Sequence, residues 1–373
     1  MMEDASWAEY WWSKITGPRE IVASIIGALR SKKAAIVVIP HDLPWRHELR
    51  RAVRNSLESI SGLEELIPDA IDIEDEGAGG EEPGRFLLDK YALRGDRANY
   101  RAGGKESVQK YMLRKGVMRN RFVWVKGFGS NSSQQWIQFC GEWAIKDASE
   151  GLLVVESCEE PQIGRNNHLE VIRYNDVVSE YDAQLFNSLV LGDESAGRLN
   201  VAWKKYAAAV TSHLCGTDAE IAQEFIFTHN FKKDDPVDTI AALADSSVFT
   251  RRGNGDHVLA LFRSGDLQAL RQRVWAGQIE ILFPIIEKQR LVIVDKYREQ
   301  LDREVEKGLF QFDNPVETAN DIEVGTLVYL CASRRINVQD RETYDRIHLL
   351  RDCRNLLAHR ETCSIEQVSA LLR

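Results

Sequence analysis

The stretch "AAIVVIPHDLPWRHELRRAV", residues 34–53, decides the fold class of the first half of the chain. Its opening run, "AAIVVI", is continuous, apolar and rich in β-branched side chains, which is typical of a strand buried on both faces. Two prolines then break the run, and helical periodicity begins at "RHELRRAV". A strand, a turn and a helix in this order indicate the first unit of a parallel α/β sheet.

Three later segments have the same apolar character as the first strand. They are "FVWVKGF" (122–128), "GLLVVES" (151–157) and "HLEVIRY" (168–174). Helical patterns lie between them, and the acidic, glycine-rich "IEDEGAGGEEPG" (73–84) is typical of a surface loop. Apolar strands separated by helices predict an N-terminal domain built on a parallel sheet.

From about residue 176 onward the pattern becomes helical. The sequence "TDAE" (217–220) has the spacing of a capping box, in which the Thr and Glu side chains bind free amides at a helix start. A long helical pattern over 267–308 contains Pro284, which is expected to kink or split it. Shorter helices are predicted at about 321–334, 342–359 and 364–372.

The composition is that of a globular protein and argues against coating of nucleic acid by bulk charge. Of the 373 residues, 44% are hydrophobic and 28% are charged, so the chain can bury a sizeable core. The formal net charge is −9, whereas phosphate binding needs a positive surface. Binding of nucleic acid would therefore require a local basic patch.

The cysteines and the lack of long apolar runs predict a cytoplasmic protein. The six cysteines are Cys140, Cys158, Cys215, Cys331, Cys353 and Cys363. They lack the C-x-x-C and zinc-ligand spacings, and we interpret them as reduced thiols. No apolar run approaches the roughly 20 residues that a membrane helix requires, and the first residues do not form a secretory signal. We expect no metal site and no membrane partner.

The most specific chemical feature is "RNLLAH" (354–359), which lies within "LRDCRNLLAHRE" (349–360). An imidazole titrates near neutral pH and suits general acid or base catalysis. A guanidinium offers a planar pair of donors to phosphate oxygens. Arg354, Asn355 and His359 are therefore the candidate catalytic residues.

An Arg, four residues and a His, with Asn directly after the Arg, resemble the signature of the HEPN superfamily. The resemblance implies an all-α domain, and many members are metal-independent endoribonucleases of toxin or antiviral systems that work as dimers. It implies that His359 transfers a proton at the RNA 2′-hydroxyl or the leaving oxygen, that Arg354 steadies the scissile phosphate and that Asn355 orients both. The product would carry a cyclic phosphate, and no cofactor is implied.

Helical geometry sets a condition on this chemistry. Five residues along a helix turn through about 140°, so Arg354 and His359 leave a straight helix in different directions. They can converge if the helix ends near Ala358 or if two copies meet across a two-fold axis, so a nuclease predicts a homodimer through this helix. The alternative is a packing role, since a buried stripe is also predicted here. Its members are Ile347, Leu350, Cys353 and Leu357.

The strand, turn and helix of 34–59 resemble the opening unit of P-loop nucleotide-binding domains. A phosphate loop needs glycines, whose amides point at the phosphates, and a Lys that meets their charge. The turn here, "PHDLPWR" (40–46), has two prolines and neither of these features. The second strand ends in Lys126 and Gly127 rather than in an acidic metal ligand. Over roughly residues 15 to 190, the strand order resembles a degenerate STAND or AAA ATPase domain.

The predicted fold class is α/β plus all-α. The predicted domains are a P-loop-like domain without a phosphate loop (1–185), a helical linker region (186–255) and a HEPN-like helical domain (256–373). The first function hypothesis is an endoribonuclease or RNA-binding effector of the toxin or defence type, controlled by an N-terminal domain that senses a signal or an unknown protein partner. Its rival is a non-catalytic interaction or scaffold protein with a helical dimerisation module. An ATPase ranks last because the phosphate loop is missing.

Overall fold

The apolar run at residue 34 forms strand β1 (Ala34–Val38) of a five-stranded parallel sheet. The computed structural model describes residues 4–77, 79–101, 105–128, 132–164, 166–193, 197, 199–250, 252–311 and 314–373. The other strands of this sheet are β2 (Ile67–Asp72), β3 (Arg121–Lys126), β4 (Leu152–Ser157) and β5 (Leu169–Arg173). Their order is β2-β3-β4-β1-β5, and every neighbouring pair is parallel. The predicted parallel α/β sheet is confirmed.

Strand β2 is an element that the sequence analysis did not predict. It pairs with β3 alone and therefore lies at an edge of the sheet. Three of its residues, Ile67, Pro68 and Ala70, are exposed. A proline cannot donate a ladder hydrogen bond and is tolerated at an edge, where one side of the strand is unpaired. The apolar pattern of a buried strand is consequently missing from this segment.

The strand register brings the carboxyl ends of several strands to one edge of the sheet. Val38 of β1 lies beside Ser157 of β4, and Asp72 of β2 lies beside Lys126 of β3. Strand β1 lies between β4 and β5, so the chain crosses over it on the way from β4 to β5. In open α/β sheets, ligands bind outside the carboxyl ends of the strands, where the strand order reverses.

Eight helices lie within residues 2–182, which form one compact unit. They are α1 (Asp4–Lys14), α2 (Thr16–Arg30), α3 (Arg46–Glu58), α4 (Pro83–Tyr91), α5 (Arg94–Asn99), α6 (Val108–Lys115), α7 (Ser133–Glu142) and α8 (Tyr174–Val177). Helix α2 buries one face, on which Ile21, Ile25 and Leu29 are fully covered. Helix α3 begins directly after the prolines of the turn, as its pattern predicted.

Residues 183–373 form a second compact unit, which is mainly helical. Its helices are α9 (Glu180–Val190, which starts before the unit), α10 (Val201–Cys215), α11 (Ala219–Thr228), α12 (Pro236–Asp245), α13 (Val258–Arg263), α14 (Leu267–Lys296), α15 (Arg298–Glu306), α16 (Val324–Ala332), α17 (Arg341–Ala358) and α18 (Ile365–Leu371). The short strands β6 (Phe310–Gln311) and β7 (Asn314–Pro315) pair antiparallel. The domain boundaries at 185/186 and 255/256 stay predictions. Among the helices of the described residues, none is both long enough and apolar enough to cross a bilayer.

Two local features of the helical half differ from the sequence analysis. Helix α14 continues through Pro284, which lies on its exposed side, so the expected split is absent and a kink stays a prediction. The capping box at Thr217 does not form, because Asp218 is the N-cap of α11. The carboxylate of Asp218 accepts hydrogen bonds from the amides of Glu220 and Ile221 and also pairs with a half-buried arginine, Arg252.

Helix α14 packs very closely against α10. A Cβ atom added at Gly277 would lie 2.6 Å from the Cα of Val210, so only glycine allows this approach. The next residue, Gln278, is buried and donates a 3.1 Å hydrogen bond to the hydroxyl of Tyr206 on α10. Helix α14 also packs against α17 and α18, and so supports the segment that carries "RNLLAH".

Candidate functional site

Helix α17 carries Arg354 and Asn355, and its buried side fixes its position. The predicted stripe of Ile347, Leu350, Cys353 and Leu357 is confirmed, since all four side chains are fully buried. At the end of the helix, Nε1 of Trp275 donates a 2.7 Å hydrogen bond to the carbonyl oxygen of Leu357. This carbonyl is among the last of the helix, which have no partner inside it. Trp275 of α14 therefore holds the end of α17.

Helix α17 ends at Ala358, the point at which the sequence analysis required an end. His359 follows as the C-cap residue, and Arg360 takes the left-handed backbone conformation with φ of 60°. The amide of Glu361 then donates a 2.8 Å hydrogen bond back to the carbonyl oxygen of Leu356. Such reversals are common helix terminators. The reversal leaves the His359 side chain exposed at the helix end.

Arg354 lies half-buried on the flank of α17 and binds an acidic residue. Its Nη2 atom donates a 2.9 Å hydrogen bond to Oε2 of Glu323, the residue directly before α16. The exposed fractions are 35% for the Arg354 side chain and 39% for that of Glu323, so water partly screens this ion pair. The contact uses one of the several N–H donors of the guanidinium. The others are available to an anion.

One copy of the chain does not join Arg354 to His359. Among the described residues, no hydrogen bond or ion pair links the two side chains, and His359 has none of its own. Asn355, on the turn between them, is exposed. The rotation of about 140° over five helical residues accounts for this separation. Both groups can reach one phosphate only if a second copy contributes or the helix end rearranges.

His348 is a residue near this site that the sequence analysis did not single out. It lies eleven positions before His359, which is about three helical turns and places both on similar faces of α17. Its ring centroid is 4.6 Å from that of Tyr344. Its Nε2 atom is buried and has no hydrogen-bond partner among the described residues. The spacing His348, Asn355, His359 is the signal that could have identified it.

A second polar cluster lies at the carboxyl edge of the parallel sheet. The carboxylate of Glu156 in β4 is 4% exposed and accepts a 2.8 Å hydrogen bond from Nε1 of Trp124. The guanidinium groups of Arg46 and Arg50 lie 3.4 Å and 3.3 Å from its oxygens. Both arginines belong to the start of α3, directly after the turn that resembles a phosphate-loop position. The buried Glu156 carboxylate therefore forms ion pairs with both arginines.

Two further basic residues of this edge, His47 and Lys126, also have polar partners. Arg50 also donates a 2.9 Å hydrogen bond to Nδ1 of His47. Burial lowers the pKa of His47 below its ordinary value, and the charges of Arg50 and Lys126 lower it further, so its ring is neutral at pH 7. Lys126 pairs with Asp72 of the edge strand. The charges of the described side chains at this edge are thus largely balanced by one another.

In the described part of the chain, no three His, Cys, Asp or Glu side chains are grouped as a metal site requires. Comparison with known proteins adds no relative, because no family model and no curated protein matches the chain.

Proposed function

We propose that the chain is a metal-independent endoribonuclease whose active site combines Arg354, Asn355 and His359 from two copies. The observation that carries the proposal is the end of α17, which stops at Ala358 and leaves His359 exposed one turn beyond Arg354. His359 is exposed and Arg354 is half-buried, and the buried stripe of α17 provides a rigid support for both. A homodimer through this helix would supply the partner group that one chain lacks.

The chemistry needs a base, an acid and a group that holds the phosphate. The His359 imidazole accepts the proton of the RNA 2′-hydroxyl, whose oxygen attacks the adjacent phosphorus atom. The bond from phosphorus to the 5′-oxygen breaks, and the protonated imidazole acts as the acid that gives this proton to the 5′-oxygen. Arg354 neutralises the charge that builds up on the phosphate oxygens. The products are a cyclic phosphate and a free 5′-hydroxyl. Asn355 orients the two groups from the turn between them.

In this proposal the N-terminal unit is a P-loop-like domain that has lost its phosphate loop and controls the nuclease. Five parallel strands with β1 between β4 and β5 support the likeness. The arginines at the start of α3 are occupied by Glu156 instead of being free for a phosphate. We therefore assign this unit a role in protein recognition, without nucleotide hydrolysis.

The second candidate function is a non-catalytic interaction module, and the Arg354 to Glu323 ion pair favours it. The pair connects α17 to the start of α16 and gives Arg354 a structural role. The helical unit would then serve only to hold two copies or another protein together. In that case His359 is a solvent-exposed helix cap with no chemical task.

Cleavage of total RNA in EDTA tests the two candidates against each other. The wild-type chain is compared with His359→Ala and Arg354→Ala. Matched controls are His168→Ala, which removes another exposed histidine, and Arg341→Ala, which removes an exposed arginine from the first turn of α17. The nuclease proposal expects loss of cleavage in the first two variants alone. Equal, negligible cleavage by every folded protein would favour the interaction module.

Mixing the two inactive variants tests whether the site is shared between copies. A mixed dimer of Arg354→Ala and His359→Ala has one site that combines an intact Arg354 with an intact His359. Random mixing should therefore restore about one quarter of the wild-type activity, because half of the dimers are mixed and each has one intact site of two. No restoration after subunit exchange would place both groups in one chain.

A further inference from the structure

Two cysteine side chains from different elements meet next to the end of α17. Cys353 lies on α17, and Cys363 lies directly before Ser364, the N-cap residue of α18. Both are buried, with exposed fractions of 0% and 5%. The Sγ atom of Cys363 is 3.9 Å from the carbonyl oxygen of Cys353, and each thiol shifts the pKa of the other. Proximity of the two thiols is the first requirement for a disulfide.

Gln278 of α14 holds Cys363 in this position from the other side. Its Oε1 atom accepts a 2.7 Å hydrogen bond from the amide of Cys363, and its Nε2 atom donates one of 3.1 Å to the carbonyl oxygen of the same residue. Gln278 is itself buried and bonded to Tyr206. The backbone on both sides of the Cys363 sulfur is therefore fixed next to Cys353.

A cavity reaches this pair from the surface. Its volume is about 290 Å³, and Cys363 lines it together with Tyr206, Gln278, Thr362 and Ser364. The share of one water molecule in the liquid is only about 30 Å³, so a molecule the size of hydrogen peroxide fits easily. Burial alone would make a thiol inert, whereas this cavity gives the Cys363 sulfur a route to a small oxidant.

We propose that Cys353 and Cys363 are a redox-modification site, which a peroxide converts into a disulfide. The Cys363 thiol attacks the peroxide, its S–O bond forms, the O–O bond breaks and one water molecule leaves. The Cys353 thiol then attacks the Cys363 sulfur, so the S–S bond forms, the S–O bond breaks and a second water molecule leaves. Two thiols are oxidised and one peroxide is reduced to two water molecules.

The two thiols of the pair shift each other's pKa in opposite directions. Cys363 lowers the pKa of the Cys353 thiol, whereas Cys353 and burial raise the pKa of the Cys363 thiol, so Cys353 is the better attacking group in the second step. Burial raises the pKa of Cys331 to about 11 and raises that of Cys215 as well. Neither is hydrogen-bonded to another cysteine in the described part of the chain.

The disulfide would connect the two sides of the segment that contains Arg354 and His359, since its cysteines are ten positions apart. It would tie the chain reversal after Ala358 to the body of α17. A consequence for RNA cleavage rests on the proposed nuclease function. The formation of the disulfide does not, because it depends on the thiol contact and the cavity alone.

Peptide mapping of the full-length chain tests the proposal without an activity assay. The protein is treated with hydrogen peroxide, alkylated after denaturation and digested with trypsin, which cleaves after Arg351, Arg354 and Arg360. We expect a linked pair of peptides, 352–354 with 361–373, that disappears when dithiothreitol is added before alkylation. Cys363→Ser should abolish the linked pair, and the control Cys331→Ser should keep it.

Recovery of both peptides with separately alkylated thiols would overturn the proposal. So would sulfinic acid on either cysteine in place of the linked pair, because it would mean that the second thiol does not attack. The decisive measurement uses the wild-type chain, so a poorly folding variant does not weaken it. RNA cleavage measured on the same oxidised sample separates a failed nuclease proposal from a failed disulfide.

Discussion

Arginines meet carboxylates in two regions of this molecule, and the two regions differ in burial. At the carboxyl edge of the sheet, Glu156 is buried and is shared by Trp124, Arg46 and Arg50. At the end of α17, Arg354 meets Glu323 at the surface, with more than a third of each side chain exposed. The same chemical pair is therefore firmly enclosed in one region and in contact with water in the other.

The difference in burial indicates which arginine can exchange its carboxylate partner for another anion. Two partly buried arginines that share one buried carboxylate have exchanged water for a fixed partner, and releasing them leaves charges without solvation. A surface pair is weak, since water and salt compete with it. An incoming phosphate can therefore displace Glu323 from Arg354 far more easily than it can displace Glu156 from Arg50.

Removal of the Glu156 carboxylate gives the largest expected effect. Glu156→Ala leaves Arg46, Arg50 and the indole of Trp124 without their acceptor, and we expect a loss of about 3–5 kcal/mol in the free energy of unfolding. Urea denaturation followed by tryptophan fluorescence measures it. The matched control is Glu170→Ala, which breaks the exposed Lys33 pair of strand β5 and should cost at most about 1 kcal/mol. Equal losses in both variants would remove the distinction between buried and surface pairs.

The same contrast between buried and exposed groups predicts the pH dependence of stability. His229 is buried, its Nδ1 lies 2.7 Å from Oγ1 of Thr239, and its ring stacks on Phe225. Burial lowers its pKa from 6.5 to about 4. The unfolded chain therefore binds a proton that the folded chain does not, and stability is lost as pH falls from about 6.5 to about 4, by up to roughly 3 kcal/mol.

A pair of variants isolates this contribution. His229→Gln should flatten the stability curve between pH 6.5 and pH 4, and His359→Gln, which changes an exposed histidine, is the matched control. Melting temperatures measured across this range provide the comparison. An unchanged slope in His229→Gln would show that other groups cause the acid sensitivity.

Much of the sheet was predictable because a buried parallel strand needs a continuous apolar run. Strands β1, β3 and β4 follow such runs, whereas the edge strand β5 has a shorter apolar core that includes a glutamate. Strand β2 has exposed positions, a proline and two aspartates, so only its partner β3 defines it as a strand. A split at Pro284 does not occur, because the cost of one missing hydrogen bond on an exposed helix face is smaller than the packing that holds α14.

The features of the candidate site within α17 were predictable from the sequence, whereas the contact of α17 with another segment was not. Helical periodicity gives the buried stripe, the angle between Arg354 and His359 and the end near Ala358. The partner of Arg354 lies 31 positions away, in a segment with no pattern in common with α17. Contacts of that kind depend on how separate helices pack, which a local pattern does not contain.

The smallest expected effect on stability comes from Glu323→Gln, which releases Arg354 without removing it. Because the pair is at the surface, we expect the free energy of unfolding to change by less than about 1 kcal/mol. RNA affinity should rise by up to about fivefold, because Arg354 can then bind a phosphate without first breaking its ion pair with Glu323. Glu317→Gln removes an exposed carboxylate of equal charge and should leave affinity nearly unchanged. Identical affinities in both variants at low salt would show that Arg354 does not meet RNA, because a freed guanidinium in the site must attract a phosphate more strongly than a neutralised one.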